Sequence, residues 1–410
     1  MSPPPATLDS RASWSRLAMA LCLSLIGNAG MWAIILVLPD VQAEFGASRA
    51  AATLPYTLTM VGFAIGNFVI GKAVDRFGLA TSLAASAVLM GVGYGAAFLA
   101  PNIAVLSIAQ LAIGFGSSAS FGPLIADTSQ WFLKRRGLAV AIAASGNYLS
   151  GALWPFILAG TLASDGWRAA YLILALACIV IMLPLTAIVR RSLPEAAMQA
   201  SETAAAERAR TTGLSPRALT ILLAMAGIGC CVAMAMPQVH IVAYCVDLGY
   251  GPAVGGEMLS LMLLGGVASR LVSGVLADKL GGVVTLLIGS TLQMLALFLY
   301  LPSTGLMSLY IVSMVFGLSQ GGIVPSYAVI VREYLPAREA GARVGLVMMS
   351  TIFGMAIGGW LSGLIYDLTG SYQMAFLNGI AFNAVNVALM VFILMRSRPR
   401  PPSTQRPLAA

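Results

Sequence analysis

The sharpest chemical signal in the chain is one arginine, Arg270, inside a run that is otherwise apolar. It follows Glu257 by thirteen residues, which at 1.5 Å per helical residue places it about 20 Å along the run. A guanidinium at that depth in a bilayer costs about 2.5–3.5 kcal/mol on insertion scales, so it needs a partner or a wet cavity. Its planar fork suits a carboxylate, with two parallel charge-assisted hydrogen bonds. A structural ion pair is the alternative, but no carboxylate on another run stands clearly at its depth. One fixed positive charge can neutralise one carboxylate, whereas a dicarboxylate would leave a second anion desolvated. The chemistry indicated is therefore binding of a small monocarboxylate, with an unpaired Arg270 resisting closure of the empty site.

The other candidates are neutral. His240 is the only histidine, in Pro237-Gln-Val-His240-Ile-Val-Ala-Tyr244 near the end of its run. Imidazole titrates near neutral pH, so His240 is either a proton-coupling group or a hydrogen-bonded gate residue. Asn28, Asn147, Tyr148, Gln320, Ser326 and Tyr327 carry amides and hydroxyls at mid-run. They either bind the remaining oxygens of the anion or join helices to one another. Phe121, Trp32 and Phe353 are candidates for apolar walls, or for packing alone. No glycine-rich phosphate loop with a following Lys-Ser/Thr is present, and there is no deep carboxylate pair. No enzyme activity, cofactor or metal site is expected, and energy must come from a solute gradient. The five cysteines (Cys22, Cys178, Cys230, Cys231, Cys245) sit in apolar runs without ligand or disulfide spacing.

The elements that must position these groups are membrane-spanning helices. The 410 residues are 59% hydrophobic and only 9% charged, with a mean hydropathy of +0.89. Soluble domains carry about 25% charged residues, so a cytosolic enzyme, a disordered chain and a nucleic-acid binder are all excluded. Apolar runs fall near 17–38, 51–70, 80–100, 103–126, 137–162 and 169–189, then 218–246, 256–276, 283–301, 306–331, 345–365 and 374–395. Each is long enough for a crossing of about 20 residues. No cleavable signal peptide is evident, so the first run is expected to remain as an anchor. The division is 1–189 for a first six-helix bundle, 190–217 for a polar linker with a short amphipathic helix over Pro194–Arg210, and 218–410 for a second bundle. With the N-terminus inside, twenty of the 23 basic residues fall in inner segments. Only Arg49 and Arg168 fall outside, and Arg270 lies within a run. That asymmetry predicts cytoplasmic termini.

The halves repeat. Gly71-Lys-Ala-Val-Asp75-Arg76-Phe-Gly78 returns as Gly274-Val-Leu-Ala-Asp278-Lys279-Leu-Gly281, and Gly166-Trp-Arg-Ala-Ala-Tyr171 is echoed by Gly370-Ser-Tyr-Gln-Met-Ala-Phe376. The Gly-x-x-x-Asp-Arg/Lys-x-Gly motif, found twice among twelve runs, resembles the signature of the major facilitator superfamily. Trp131-Phe-Leu-Lys134-Arg135-Arg136-Gly137, followed by small residues to Gly146, resembles the fifth-helix signature of monocarboxylate transporters and of related oxalate/formate-type exchangers. Arg270 stands where that branch carries an arginine in its eighth helix. The resemblance implies an all-α membrane protein of twelve helices in two six-helix bundles, working by alternating access. It implies that Asp75, Arg76, Asp127, Asp278 and Lys279, with Lys134 and Arg135, latch the bundles. Three features depart from the pattern. Gly266 replaces an aspartate one turn before the arginine, Met31-Trp32 stands where many members have a lysine, and the eleventh run is uncharged.

The expectation is a proton-coupled carrier of a small monocarboxylate such as L-lactate or pyruvate, in a bacterial inner membrane and active as a monomer. Its partners are that anion, a proton and the lipid bilayer. An organic-anion exchanger is the alternative. Gly62/Gly66, Gly354/Gly358 and Gly359/Gly363 have the small-xxx-small spacing that lets helix backbones meet.

Overall fold

A computed structural model describes residues 8–46, 49–190 and 214–397. The expected amphipathic helix at Pro194–Arg210 lies outside them. Helices make twelve crossings, and no strand occurs among the described residues. The first crossing is α1 (Arg11–Gly27) with α2 (Ala29–Phe45), the second α3 (Arg49–Phe77), and the third α4 (Leu79–Phe98). The fourth is α5 (Ile103–Ser117) with α6 (Gly122–Trp131), and the fifth is α7 (Arg136–Ser164). In the sixth, α8 (Gly166–Leu176) reaches α9 (Leu183–Ile188) through a π-helical stretch, Ala177–Met182. The second half follows with α10 (Pro216–Asp247), α11 (Pro252–Leu280) and α12 (Gly282–Tyr300) as crossings seven to nine. The tenth is α13 (Leu306–Gln320) with α14 (Ile323–Tyr334), the eleventh α15 (Ala340–Thr369), and the twelfth α16 (Tyr372–Ser397). Eleven of the crossings are long and apolar enough to span a membrane, and the remaining one, α7, has 29 residues.

Crossings that read as continuous runs are broken at mid-depth, for identifiable reasons. Proline has no N–H, so the carbonyl four residues earlier loses its helical donor. Pro123 does this to Ala119, in crossing four. There a 3₁₀ turn at Ser118–Ser120 gives way to Phe121, at φ −124° and ψ −93°. The Gly122 N–H freed by the break donates to Asn67 Oδ1 of α3, 3.1 Å away. Pro325 frees the Gly321 carbonyl in the same way, at the break of crossing ten. In crossing one the Asn28 side chain donates to Ser24 O (2.8 Å), competing with the backbone ladder.

Small residues set the helix contacts within each half. A Cβ at Gly66 would lie 2.6 Å from Phe115 O, and one at Gly358 would lie 2.5 Å from Val232 O. Helix α3 therefore meets α5, and α15 meets α10, backbone to backbone. The repeated glycines Gly166 (φ 77°) and Gly370 (φ 64°) open the last crossing of each half in left-handed conformation, which explains that echo in the sequence. Beside Gly166, Arg168 pairs with Glu44 Oε1 at 2.6 Å, and Trp167 Nε1 donates to Glu44 Oε2 at 2.6 Å. Glu44 lies beyond the apolar span that ends at Ile34, and hydrogen bonding from Arg168 holds its carboxyl below the ordinary value.

Arg16 and Asp127 form a bidentate ion pair (Nε–Oδ2 2.8 Å, Nη2–Oδ1 2.9 Å), with Arg16 also donating to Val189 O and lying over the Trp131 ring. Asp127 thus holds α6 to α1 inside the first half rather than latching the halves to each other. Removing one member of a buried pair leaves an uncompensated charge and costs about 3 kcal/mol or more. Asp127→Ala should lower the melting temperature of the detergent-solubilised protein, with Arg16→Met recovering part of the loss. A double variant no more stable than Asp127→Ala would refute the pairing as the cause.

Candidate functional site

The two halves meet along α3 with α15, α7 with α11, and α6 and α14 with their neighbours across the seam. The close approaches lie on the side that carries both described termini, here the terminal face. A Cβ at Gly341 would come within 2.6 Å of Gly71 O, and one at Gly274 within 2.8 Å of Gly137 O.

Two carboxylates close that face with the same geometry. Asp75, at the end of α3, accepts from the backbone N–H groups of Gly341 (3.0 Å) and Ala342 (2.7 Å), at the start of α15. Asp278, at the end of α11, accepts from Gly137 (2.5 Å) and Leu138 (3.1 Å), at the start of α7. Each aspartate of the repeated motif caps a helix N-terminus of the opposite half, satisfying orphan donors and meeting the positive end of the helix dipole. Arg76 and Lys279 are exposed. Of the basic triplet, Arg136 reaches across the seam: it is buried, and it donates to Ser129 O, Phe132 O and, at 3.4 Å, to Arg332 O of α14. The backbone N–H groups of Lys134 and Arg135 donate instead to Asp9, which also accepts from Leu133 N–H.

Arg270 sits on the same seam, deeper, and is 4% exposed. Its Nη1 donates to Ala144 O of α7 at 2.7 Å, and its Nε donates to Gly321 O at 3.2 Å. The second acceptor is the carbonyl freed by Pro325, so the break in crossing ten supplies part of the arginine's solvation. The guanidinium carbon lies 3.5 Å from the centroid of the Tyr148 ring, one turn beyond Ala144 on α7. Arg270 therefore bridges both halves and is not bare, as the sequence had suggested. Its acceptors are neutral carbonyls, and among the described residues it forms no ion pair. The positive charge is solvated but not neutralised.

Around it the structure brings together Tyr148, Gly266 and Gln320. A Cβ at Gly266 would lie 3.3 Å from Tyr148 Cε2 and 3.6 Å from Gln320 Nε2. The remaining candidates are engaged elsewhere. Asn147 Nδ2 donates to Asn28 Oδ1 (3.1 Å), Asn28 to Ser120 O (3.2 Å), and Trp32 Nε1 to Asn147 O (3.0 Å), a network tying crossings one, four and five. The Tyr327 hydroxyl donates to Asn386 Oδ1 at 3.2 Å inside the second half, where the side chain is wholly buried. Ser326 Oγ returns to Gly322 O at 2.7 Å. Phe121 packs on Phe63, with ring centroids 5.7 Å apart, while Phe353 is 41% exposed on α15. His240 Nε2 lies 2.8 Å from Gly359 O of α15, so this nitrogen carries a proton and donates it, and the ring centroid lies 5.6 Å from that of Tyr372, with the planes tilted by 48°.

Two six-helix bundles, latched through paired caps and sharing a buried cation at their seam, define a carrier of the two-bundle class. The chain matches the family model described as Major Facilitator Superfamily over residues 20–306 and 219–410. It belongs to that superfamily. It is 28% identical over 338 residues to Monocarboxylate transporter 13 of Bos taurus, covering 79% of this chain and 76% of that one. It is also 28% identical over 407 residues to Monocarboxylate transporter 11 of Homo sapiens, covering 92% and 82%. The fold is similar to that of the E. coli fucose:proton symporter FucP, with a TM-score of 0.68 at 15% identity over 95% of this chain and 100% of that one.

Proposed function

We propose that this protein carries a small monocarboxylate such as L-lactate or pyruvate across a bacterial inner membrane, together with a proton. The observation that supports this best is a seam-bridging Arg270 that donates to two carbonyls, one from each half. A carboxylate exchanging for Ala144 O gains two charge-assisted bonds and neutralises the buried charge. It also releases one tie between the halves, which links binding to their relative movement.

The terminal face is the cytoplasmic one, in line with the inner excess of lysine and arginine. The structure then corresponds to a state closed toward the cytoplasm. Residues 1–189 and 218–410 are the moving units and 190–217 the linker between them, all within one functional monomer. His240 is the candidate for proton coupling, its Nε2–H donating to Gly359 O of α15. The relatives named as monocarboxylate transporters, and the fucose:proton symporter, favour the same reading.

Reconstitution in liposomes with an alkaline interior tests it. Labelled L-lactate should accumulate above equilibrium, and a protonophore should collapse the accumulation. Uptake that starts only after preloading with an organic anion would replace symport by exchange. No uptake under either condition would refute the substrate class.

A further inference from the structure

Gln320 is wholly buried, and neither its Nε2 nor its Oε1 has a hydrogen-bond partner among the described residues. An unsatisfied buried amide is costly, and native cores seldom retain one without a use. Its location suggests the use. The next residue, Gly321, supplies the carbonyl that holds Arg270 Nε. The amide faces Gly266, which lies one turn before Arg270 on the same face of α11. Because residue 266 has no side chain, the space it would fill is bordered by the Gln320 amide and the Tyr148 ring, whose face carries the guanidinium. The unpaired Nε2 of Gln320 and the Tyr148 ring that carries the cation thus flank one gap, the one left by the missing side chain at 266, and Oε1 of the same amide is also unpaired. Tyr148 belongs to the first half while Gln320 and Gly266 belong to the second, so the gap opens when the halves part.

We propose that Gln320 is the specificity residue of this site and reads an oxygen on the carbon next to the substrate carboxylate. This rests on the monocarboxylate reading of Arg270. A hydroxyl there satisfies both amide atoms, accepting from Nε2–H and donating to Oε1. A keto oxygen can only accept, and so leaves Oε1 unpaired. An unsubstituted chain leaves both unpaired. The order of preference is therefore 2-hydroxy acid, then 2-oxo acid, then the plain acid.

The test is uptake of labelled L-lactate, pyruvate and propionate by wild type, Gln320→Leu and Gln320→Glu in liposomes, with melting curves of each protein without substrate. Wild type should prefer L-lactate over propionate by about tenfold or more, and Gln320→Leu should compress that ratio to about twofold, mainly through KM for L-lactate. Leucine fills the volume without stranding polar atoms, so the substrate-free protein should melt no lower than wild type. Gln320→Glu adds a negative charge beside Arg270 and should reject all three anions. If Gln320→Leu slows all three substrates equally, or lowers the melting temperature, the amide is structural and the inference fails while the Arg270 reading stands. If wild type carries none of the three, the Arg270 reading itself fails.

Discussion

Arg270→Ala is expected to lower L-lactate uptake by about a hundredfold or more without reducing the stability of the empty protein. The loss in uptake follows from two charge-assisted hydrogen bonds to the carboxylate, together about 3–5 kcal/mol, which alanine cannot make. The stability expectation comes from the arginine's present partners. Ala144 O lies within α7 and keeps its helical donor, Tyr148 N–H, when the guanidinium is removed. Gly321 O has no helical donor because Pro325 lacks an N–H, so its partner is lost outright, at about 1–3 kcal/mol. Against this, a desolvated cation with no carboxylate partner is also removed, a gain of comparable size.

Two further substitutions separate charge from geometry. Arg270→Gln retains a donor for Gly321 O but carries no charge, and should be as inactive as alanine. Arg270→Lys keeps the charge on a flexible stem without the fork, and should retain about a tenth of the activity, with KM raised more than kcat falls. These are measured as initial rates in liposomes at matched protein density. A glutamine variant keeping a third of wild-type uptake would show that Arg270 acts as a helix tie and not as the anion site.

Much of the architecture was readable from hydropathy, because a bilayer admits few ways to satisfy a backbone. Twelve apolar runs became twelve crossings, and the structure places the motif aspartates Asp75 and Asp278 at the seam between the halves. Residue type does not reveal which of several acceptors a side chain finds. Arg270 bonds two carbonyls, and every residue has a carbonyl, so composition held no signal for Ala144. Gly321 was legible in principle: a proline four residues later inside an apolar run marks a freed acceptor, and Pro123 and Pro325 both show it. Tyr327 looked like a cavity residue because a tyrosine at mid-run is polar. Its partner Asn386 lies 59 residues on, in another crossing, and helical periodicity cannot say which face turns inward. Asp127 misled similarly, since Arg16 is 111 residues away in sequence.

The other large effect is expected at the terminal face, where Gly341→Val should block closure and reduce uptake by about a hundredfold. A Cβ at 341 would lie 2.6 Å from Gly71 O and 2.5 Å from Asp75 Oδ1, closer than real Cβ contacts come. The oxygen at 71 is backbone held by α3 and cannot rotate away, and pushing Asp75 aside breaks the cap it forms on α15. Overpacking of this kind costs up to about 3 kcal/mol, which shifts a two-state equilibrium by about two orders of magnitude. The two groups in the way belong to the opposite half, so the substitution disfavours one arrangement of the halves and leaves each bundle intact.

The position of the halves can be read at the other contact. Ala141 on α7 faces Gly274 on α11: a Cβ at 274 would lie 2.7 Å from the Ala141 Cβ. In an Ala141→Cys protein lacking the exposed Cys22, a maleimide added from the terminal side should react slowly, and adding Gly341→Val should speed the reaction at least several-fold. Gly95→Ala, which meets nothing within 4 Å, should change neither labelling nor uptake. Unchanged labelling at residue 141 in a Gly341→Val protein that has lost uptake would mean that the two contacts open independently, not as one rigid movement of the halves.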